Sequence, residues 1–292
     1  MWYHQLYRKL PFKKQAFQLI RNWNILPPKV FRHLHFEGIF SFNNENGVKV
    51  YMCHYGSGFA METDHFWMGE KACEPFSISA WIYFAQQCDV ILDVGANTGT
   101  YSLIAASYNS TADIHAFEAN KNIAERILIN SEINSYNITT HPVAVSNQNG
   151  IVSFSKSTSP NDYIAKIVGS DNKGENVPSV TLDSFLPNWN ISTTSKWLIK
   201  LDVEGHEPEV LLGALEVFKQ HQPVFLLEVL TDDVAIKLNQ EFNWSGYRFF
   251  DIDEEKGYSE ISVIKRSSGN NILCVPSAYQ NSQLSFLAKG KK

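Results

Sequence analysis

The chain has 292 residues, enough to bury a substantial core as one large domain or as a domain with an extension. Its hydrophobic content of 44% and charged content of 19% are those of an ordinary soluble globular protein. The net charge of -5 argues against a nucleic-acid-binding protein, which needs a basic face. The four cysteines show no C-x-x-C spacing, so we expect reduced thiols and neither a disulfide framework nor a zinc site.

Targeting signals are not evident in the sequence. Charged residues interrupt the N-terminal segment at Lys9, Lys13, Lys14 and Arg21, so no signal-peptide core is predicted. The uncharged, largely apolar stretch at residues 75 to 88 is too short to span a bilayer. We therefore expect a cytoplasmic protein with no integral membrane segment.

Residues 1 to 87 are rich in aromatic side chains, and we treat them as an N-terminal α/β extension. Helical spacing is found in the segments MWYHQLYRKL, AFQLIRNW and SISAWIYFAQQ. Alternation of apolar and polar residues predicts a strand in GVKVYMC. This extension is a candidate for contacts with an acceptor or with a second copy of the chain.

From residue 88 to residue 292 the sequence alternates between strand and helix patterns. The predicted strands are DVILDV, DIHAFEA, ITTHPVAV, IVSFS, WLIKLDV, PVFLLEV, YRFFDI and NILCVP. The predicted helices are TYSLIAASY, KNIAERILINSEIN, EPEVLLGALEVFKQ and DVAIKLNQEF. Strands separated by helices imply right-handed crossovers and a mostly parallel sheet with helices on both faces.

A polar stretch interrupts this alternation at residues 155 to 179. It is rich in Ser, Asn, Asp and Gly, which predicts a loop. Loops of this length in a compact domain are usually functional or disordered. We hypothesise that this loop is a flap over the substrate.

The segment DVGANTG, residues 93 to 99, predicts a turn between the first strand of this region and a helix. Gly95 and Gly99 allow the backbone to turn sharply and to approach a ligand, while the helix directs its free N–H groups toward that ligand. The dinucleotide pattern G-x-G-x-x-G fails at Asn97 and Thr100, and no Lys-Ser/Thr pair of a P-loop follows. The amino-acid end of S-adenosylmethionine fits such a turn better, and a turn with no ligand is the alternative.

Glu118 ends the next predicted strand, 19 residues after Gly99. An acidic residue about 20 residues after a glycine turn is placed to reach a ribose. A carboxylate there accepts hydrogen bonds from both ribose hydroxyls, whereas the alternative is a solvated glutamate at a strand end.

The segment IKLDVEGHEPEV adds further candidate residues. If it is extended, Asp202 and Glu204 point to the same side of the strand, which suits a site at the carboxyl edge of the sheet. Glu207 and Glu209 are interpreted as partners of the dipole of the following helix. His206 is a candidate general base, with an ordinary loop histidine as the alternative.

These segments, together with HAFEANKNIAERILIN, HPVAVSNQNG, VTLDSFL and VFLLEVL, resemble the FkbM family of S-adenosylmethionine-dependent methyltransferases. The resemblance covers roughly residues 88 to 276. It implies a class I methyltransferase fold, a Rossmann-like, seven-stranded and mostly parallel sheet whose last strand is antiparallel. It also implies methyl transfer to a hydroxyl oxygen, often on a sugar or on a glycosylated or polyketide product.

The resemblance also implies a set of cofactor contacts. The residues that it assigns to S-adenosylmethionine are Asp93, Gly95, Asn97 and Gly99 for the methionine end, Glu118 for the ribose, and Ala144, Val145 and Ser146 near the adenine. The expected partner is a small-molecule or saccharide acceptor, and a homo-oligomer is possible. The alternative is a nucleic-acid methyltransferase on the same fold. However, the chain has Asp-Val-Glu-Gly where enzymes that modify base amino groups typically have Asn/Asp-Pro-Pro-Tyr/Phe, and it lacks a basic domain.

The acceptor hydroxyl could be activated in two ways, with a divalent metal or without one. Asp202, Glu204 and Glu228, which ends the strand FLLEV, could bind Mg²⁺. The family pattern does not require a metal, and we predict metal-free removal of the proton. In that case Asp202 or Glu204 orients the acceptor, and His206 is the possible base.

Overall fold

The computed structural model describes residues 12–21, 23, 26–56, 60–154, 175–184, 192–267 and 269–290. Its strands are β1 (Glu37–Asn43), β2 (Lys49–Tyr55), β3 (Val90–Val94), β4 (Asp113–Phe117), β5 (Ile138–His141), β6 (Ala144–Val145), β7 (Gly150–Phe154), β8 (Glu175–Val180), β9 (Trp197–Leu201), β10 (Val224–Glu228), β11 (Tyr247–Asp253), β12 (Gly257–Ile261) and β13 (Asn271–Pro276). Its helices are α1 (Lys13–Arg21), α2 (Pro28–Phe31), α3 (Ala60–Met68), α4 (Pro75–Ala85), α5 (Thr100–Tyr108), α6 (Lys121–Asn134), α7 (Glu207–Leu212), α8 (Leu215–His221) and α9 (Asp232–Glu241).

The central sheet has the strand order β12-β11-β13-β10-β9-β3-β4-β5. The five neighbouring strands β5, β4, β3, β9 and β10 are parallel. The strand β13 is inserted antiparallel between β10 and β11. This arrangement confirms the predicted class I methyltransferase fold. The sheet has one strand more than the seven expected, because β12 forms an antiparallel edge hairpin with β11.

The position of the inner strands, between two layers of helices, explains why their sequences are almost continuously apolar. Every residue of β3, β9 and β13 is buried, as expected for strands that are covered on both faces. One face packs against α4 and α5 through residues such as Trp81 and Ile104, and the other packs against α7, α8 and α9 through residues such as Val210 and Leu238.

The N-terminal segment contains a two-stranded antiparallel sheet, β1 and β2, that packs with α1 and α3. Its buried side chains Phe40, Met52 and Phe66 belong to the same hydrophobic cluster as Trp81 of α4. The described part of the extension is therefore joined by a continuous core to one face of the central sheet. The domain boundary at residue 87 stays a prediction.

The predicted elements agree with the structure from α1 onward, with several differences. The strands β1 and β12 and the helices α2 and α3 were not predicted. The predicted strand ITTHPVAV is divided into β5 and β6, and the predicted helix EPEVLLGALEVFKQ is divided into α7 and α8. Residues 175 to 180, which were assigned to the polar loop, form β8 of a three-stranded sheet with the order β6-β8-β7. The remainder of that loop, residues 155 to 174, and the helix predicted in the first ten residues lie outside the described residues. Within the described part of the chain, no helix combines the length and the apolar character needed to cross a membrane.

Candidate active site

A cavity of about 470 Å³ opens at the carboxyl ends of the parallel strands. The turn after β3, the residues that follow β4, the segment 143–145 and the residues that follow β9 all contribute to its wall. Glu228 at the end of β10, Met61 and Glu74 of the N-terminal segment, and residues of the helices α5 and α6 also contribute to it. This is the edge of the sheet where open α/β folds bind their ligands.

The glycine turn lies at the centre of one wall. Gly95 and Asn97 line the cavity, and both have left-handed backbone angles, with φ of 80° and 50°. A Cβ atom on Gly95 would lie 1.8 Å from the backbone oxygen of Asp202. Glycine is therefore required first by the close approach of this turn to the segment after β9, before any ligand is considered.

Asp93 and Gly99 support this turn from behind and do not line the cavity. The buried Asp93 carboxylate accepts hydrogen bonds from the backbone N–H of Ser102, at 3.0 Å, and from its hydroxyl, at 2.7 Å. Burial raises the pKa of Asp93, and the Lys200 ammonium group opposes that shift. Gly99 precedes α5 with a φ of 88°. Both residues thus fix the start of α5, and the structure does not bring them to the cavity surface.

Glu118 lines the cavity, as the prediction requires of a ribose ligand. Its carboxylate accepts the backbone N–H of Asn97 at 3.0 Å and that of Asn120 at 2.8 Å. Burial raises the pKa of Glu118 to about 7, although these two hydrogen bonds favour the charged form. The side chain is therefore held in one position at the edge of the glycine turn.

Of the three residues predicted near the adenine, Ala144 and Val145 line the cavity and Ser146 does not. The Ser146 hydroxyl lies 2.9 Å from Nε2 of His206, while Nδ1 of His206 lies 3.6 Å from the Glu209 carboxylate. Burial lowers the pKa of His206. Both of its ring nitrogens have partners outside the cavity, so the structure does not place this histidine as the base.

The segment after β9 is a turn, and the extended conformation assumed for Asp202 and Glu204 is wrong. The strand ends at Leu201, and Glu204 has a left-handed φ of 58°. Both carboxylates nevertheless line the cavity, because the turn directs them there. The buried Glu207 shapes this turn, because its carboxylate accepts hydrogen bonds from the backbone N–H groups of Val203, at 3.1 Å, and Gly205, at 3.2 Å. Glu207 was predicted only as a partner of the helix dipole, so its structural role is larger than expected.

A buried lysine, which the sequence reading missed, also lies in the cavity wall. The Lys200 ammonium group donates to the Asp202 carboxylate at 2.6 Å and lies 4.6 Å from the centre of the Tyr101 ring. The Tyr101 hydroxyl donates to Glu74. Burial disfavours the charge on Lys200, but the carboxylates of Asp202 and Asp93 raise its pKa above the ordinary value. The available signal was a charged residue inside an apolar strand, since a lysine is almost never buried without a partner.

Glu228 completes a group of three carboxylates. One oxygen each from Asp202, Glu204 and Glu228 lie within 4.8 Å of one another. Burial and the neighbouring Asp202 carboxylate, to which it hydrogen-bonds, raise the pKa of Glu228 to about 10. Glu228 is therefore protonated at neutral pH, and Lys200 compensates the charge of Asp202. Carboxylates in this arrangement are also suitable ligands for a divalent cation.

The pKa of Glu228 leads to a prediction about stability. Because this pKa rises from an ordinary 4.5 to about 10 on folding, the folded state retains a proton that the unfolded state loses. The free energy of unfolding should fall as the pH rises through this window. Glu228→Gln mimics the protonated form, so it should lose less stability than the wild type between about pH 5 and pH 8, by on the order of 1 kcal/mol or more. Urea unfolding at both pH values measures this, and parallel curves for the two proteins would contradict it.

The sequence of the chain is similar to those of known methyltransferases. A family profile described as the methyltransferase FkbM domain matches residues 93–259, more than half of the chain. The hexuronic acid methyltransferase AglP of Haloferax volcanii is 29% identical over 129 residues, which are 44% of this chain and 51% of AglP. The match thus spans about half the length of that curated relative.

Two solved structures are similar at low sequence identity. The methyltransferase FkbM from Methylobacillus flagellatus is 14% identical with a TM-score of 0.39, and the match covers 64% of this chain and 43% of that one. The tRNA (uracil-54, C5)-methyltransferase of Pyrococcus abyssi is 10% identical with a TM-score of 0.38, covering 82% of this chain and 44% of that one. These two likenesses carry no statement about the substrate.

Proposed function

Because the chain belongs to the FkbM methyltransferase family, we propose that it transfers a methyl group from S-adenosylmethionine to a hydroxyl oxygen of a saccharide. The observation that supports this proposal best is the division of one cavity into two sides. The glycine turn and Glu118 form one side, and the carboxylates after β9 and β10 form the other. The relative that acts on a hexuronic acid supports a saccharide as the acceptor.

The residues present fit S-adenosylmethionine. The turn at Gly95 and Asn97 would hold the methionine end, and the fixed carboxylate of Glu118 would hold the ribose hydroxyls. The apolar side chains of Ile123 and Val145 line the cavity beyond Glu118 and would contact the adenine. When bound, the cofactor supplies an electrophilic methyl group on a sulfonium cation. The described lining residues carry five carboxyl groups and one ammonium group, and even with Glu228 protonated the carboxylates are in excess, which favours a cation.

On the acceptor side, we assign removal of the hydroxyl proton to Glu204. Its carboxylate lies on the cavity wall near Asp202 and Glu228, and the left-handed backbone that places it there is sterically unfavourable. Such strain is typical of functional positions. Asp202 is held by Lys200, and the neighbouring oxygens of Asp202 and Glu228 would orient the acceptor. Glu204 thus takes the role for which His206 was a candidate.

The acceptor class is tested directly by incubation with S-adenosylmethionine carrying a labelled methyl group. The panel contains neutral hexosides, hexuronosides, nucleosides and transfer RNA. Label in a saccharide that alkaline treatment does not release supports the proposal, because ethers survive hydrolysis and methyl esters do not. Label in RNA alone would contradict it and would favour the alternative of a nucleic-acid methyltransferase.

The assigned role of Glu118 predicts a loss of donor binding. We expect Glu118→Ala to weaken S-adenosylmethionine binding by roughly 1.5–3 kcal/mol, the range for hydrogen bonds to a charged group. Isothermal titration calorimetry measures this, and Glu125→Ala, on the nearby helix α6 and outside the lining residues, is the matched control. Unchanged affinity in Glu118→Ala would be incompatible with the assignment.

The metal-free route predicts that activity survives removal of divalent ions. We expect turnover to be unchanged after exhaustive treatment with EDTA and gel filtration. If EDTA abolishes turnover and Mg²⁺ restores it, then Asp202, Glu204 and Glu228 are metal ligands and the metal-free account is wrong.

A further inference from the structure

The glycine turn contains one buried residue, Thr98, that does not face the cavity. Residues 95 to 97 line the cavity, whereas Thr98 is 1% exposed and is not part of the lining. Asn97, directly before it, has a left-handed φ of 50°. A non-glycine residue keeps such a backbone conformation only where the surrounding structure holds it. The contacts of Thr98 therefore bear on the shape of the donor side of the cavity.

Helix α6 contacts this turn through two residues on one of its faces. A Cβ atom on Gly99 would lie 3.0 Å from Cγ2 of Ile127, so the helix and the turn are in close contact. Three residues further along the helix, the fully buried Asn130 donates through Nδ2 to the backbone oxygen of Thr98 at 2.9 Å. Removing the partner of a buried acceptor carries the cost of desolvating that acceptor, so this hydrogen bond is expensive to lose.

The same asparagine joins the turn to the N-terminal segment. The strand β2 pairs with β1 along one edge, and side chains of α6 bond to its backbone on the other side. Oδ1 of Asn130 accepts the backbone N–H of Cys53 at 2.9 Å. One helical turn later, Asn134 accepts the N–H of Tyr51 at 2.8 Å and donates to its backbone oxygen at 2.7 Å. Both asparagines thus attach β2 to α6, and Asn130 also reaches the glycine turn.

Helix α3 of the N-terminal segment holds Thr98 from a second direction. Glu62 is 1% exposed, and the Thr98 hydroxyl forms a hydrogen bond with its carboxylate. Burial raises the pKa of Glu62 to about 7, whereas this hydrogen bond and the Arg126 guanidinium favour the charged form. Met61, the preceding residue of the same helix, lines the cavity. Helix α3 therefore contacts both the cavity and the turn that forms one of its walls.

We propose that the N-terminal segment holds the glycine turn in the shape that receives the donor, with Asn130 and Glu62 as positioning residues that act through Thr98. This role rests on the proposed binding of S-adenosylmethionine by the turn. Asn130 fixes the backbone of Thr98 to β2, and Glu62 fixes its side chain to α3. A turn that is already ordered gives up less conformational freedom when it binds a ligand. The N-terminal segment thereby serves the donor side of the cavity.

Hydrogen exchange in the free protein tests this hold on the turn without any ligand. The backbone N–H groups of residues 95 to 97 and of Gly99 all donate hydrogen bonds, so the turn should be protected from exchange. We expect Asn130→Ala to accelerate exchange of these groups roughly tenfold. Thr98→Val removes only the hydroxyl that contacts Glu62, and we expect an acceleration of roughly threefold or more. Asn134→Ala is the matched control, because it loosens β2 from α6 without touching the turn, and exchange of the turn should stay unchanged.

Donor binding and steady-state kinetics give the second readout. For Asn130→Ala we expect the Kd and the KM for S-adenosylmethionine to rise roughly tenfold. The kcat at saturating donor should stay near the wild-type value, because the carboxylates on the acceptor side are untouched. Asn134→Ala should change none of these three constants. If Asn130→Ala does not fold, Thr98→Val provides the same comparison with a smaller change in the protein.

Unchanged exchange of the turn in both Asn130→Ala and Thr98→Val would overturn the proposal. Equal acceleration in Asn134→Ala would also overturn it, because the effect would then come from the loosening of β2 alone. If the wild type binds no S-adenosylmethionine, the proposed function fails, whereas the exchange measurements still decide whether the N-terminal segment holds the turn.

Discussion

Gly95→Ala is expected to abolish S-adenosylmethionine binding and to lower the free energy of unfolding by roughly 3 kcal/mol or more. Two costs add at this position. The backbone has a φ of 80°, which side chains with a Cβ atom rarely adopt. The new Cβ atom would also lie 1.8 Å from the backbone oxygen of Asp202, so the glycine turn and the segment after β9 must separate. That separation disturbs both sides of the cavity together.

Substitution of a second glycine, Gly246, allows the backbone cost to be measured without the steric clash. Gly246 has a φ of 87°, but a Cβ atom there would meet nothing within 4 Å. Gly246→Ala should therefore show the backbone cost alone, about 1–2 kcal/mol, and should bind the cofactor normally. Urea unfolding and calorimetry of both variants measure the difference. Equal stability of the two variants, with cofactor binding retained in Gly95→Ala, would show that the turn does not need this close approach.

The parts of the site that the sequence predicted are those encoded within one short segment. The turn at residues 93 to 99 follows from two glycines between a β-rich run and a helical run, and Glu118 follows from its distance to that turn. Both reach the cavity wall, because the ends of neighbouring parallel strands meet at one edge of the sheet. The mostly parallel sheet with an antiparallel last strand was likewise implied by the family resemblance, since the motifs lie at fixed places in that fold.

The contacts among distant segments were not predictable in the same way. Lys200 on β9, Tyr101 on α5 and Glu74 before α4 come together only when the sheet and the N-terminal segment are assembled. Their spacing along the chain does not predict that these three side chains meet. Helix α3 was missed for another reason, since its buried residues include Glu62 and Asp64, so it has no clear apolar stripe.

His206 shows the limit of reasoning from residue type. A histidine two residues after an acid at a strand end is a reasonable base, but a turn with two left-handed residues, Glu204 and Gly205, separates it from the cavity. These angles reverse the direction of the chain, so that adjacent side chains reach different surroundings. Sequence spacing alone does not reveal a left-handed glutamate, because most non-glycine residues avoid that conformation.

The same left-handed residue gives the last prediction. Glu204→Gln should reduce turnover of a saccharide acceptor by at least tenfold, within the range of roughly 10²–10⁴ for general base catalysis, while donor affinity stays nearly unchanged. Glutamine keeps the size of the side chain but cannot accept the proton. Steady-state turnover and donor calorimetry measure the two effects. Glu209→Gln, on the same segment but outside the cavity lining, is the matched control and should retain turnover.

Glu204→Gly separates the loss of a base from damage to the fold. Because Glu204 has a φ of 58°, glycine relieves a strain of about 1–2 kcal/mol, which offsets the greater flexibility of glycine in the unfolded chain. This variant should therefore melt at or above the wild-type temperature and still lose turnover as Glu204→Gln does. His206→Asn should keep turnover, since both ring nitrogens have partners outside the cavity. If His206→Asn is inactive while both Glu204 variants remain active, the histidine is the base and the assignment to Glu204 is wrong.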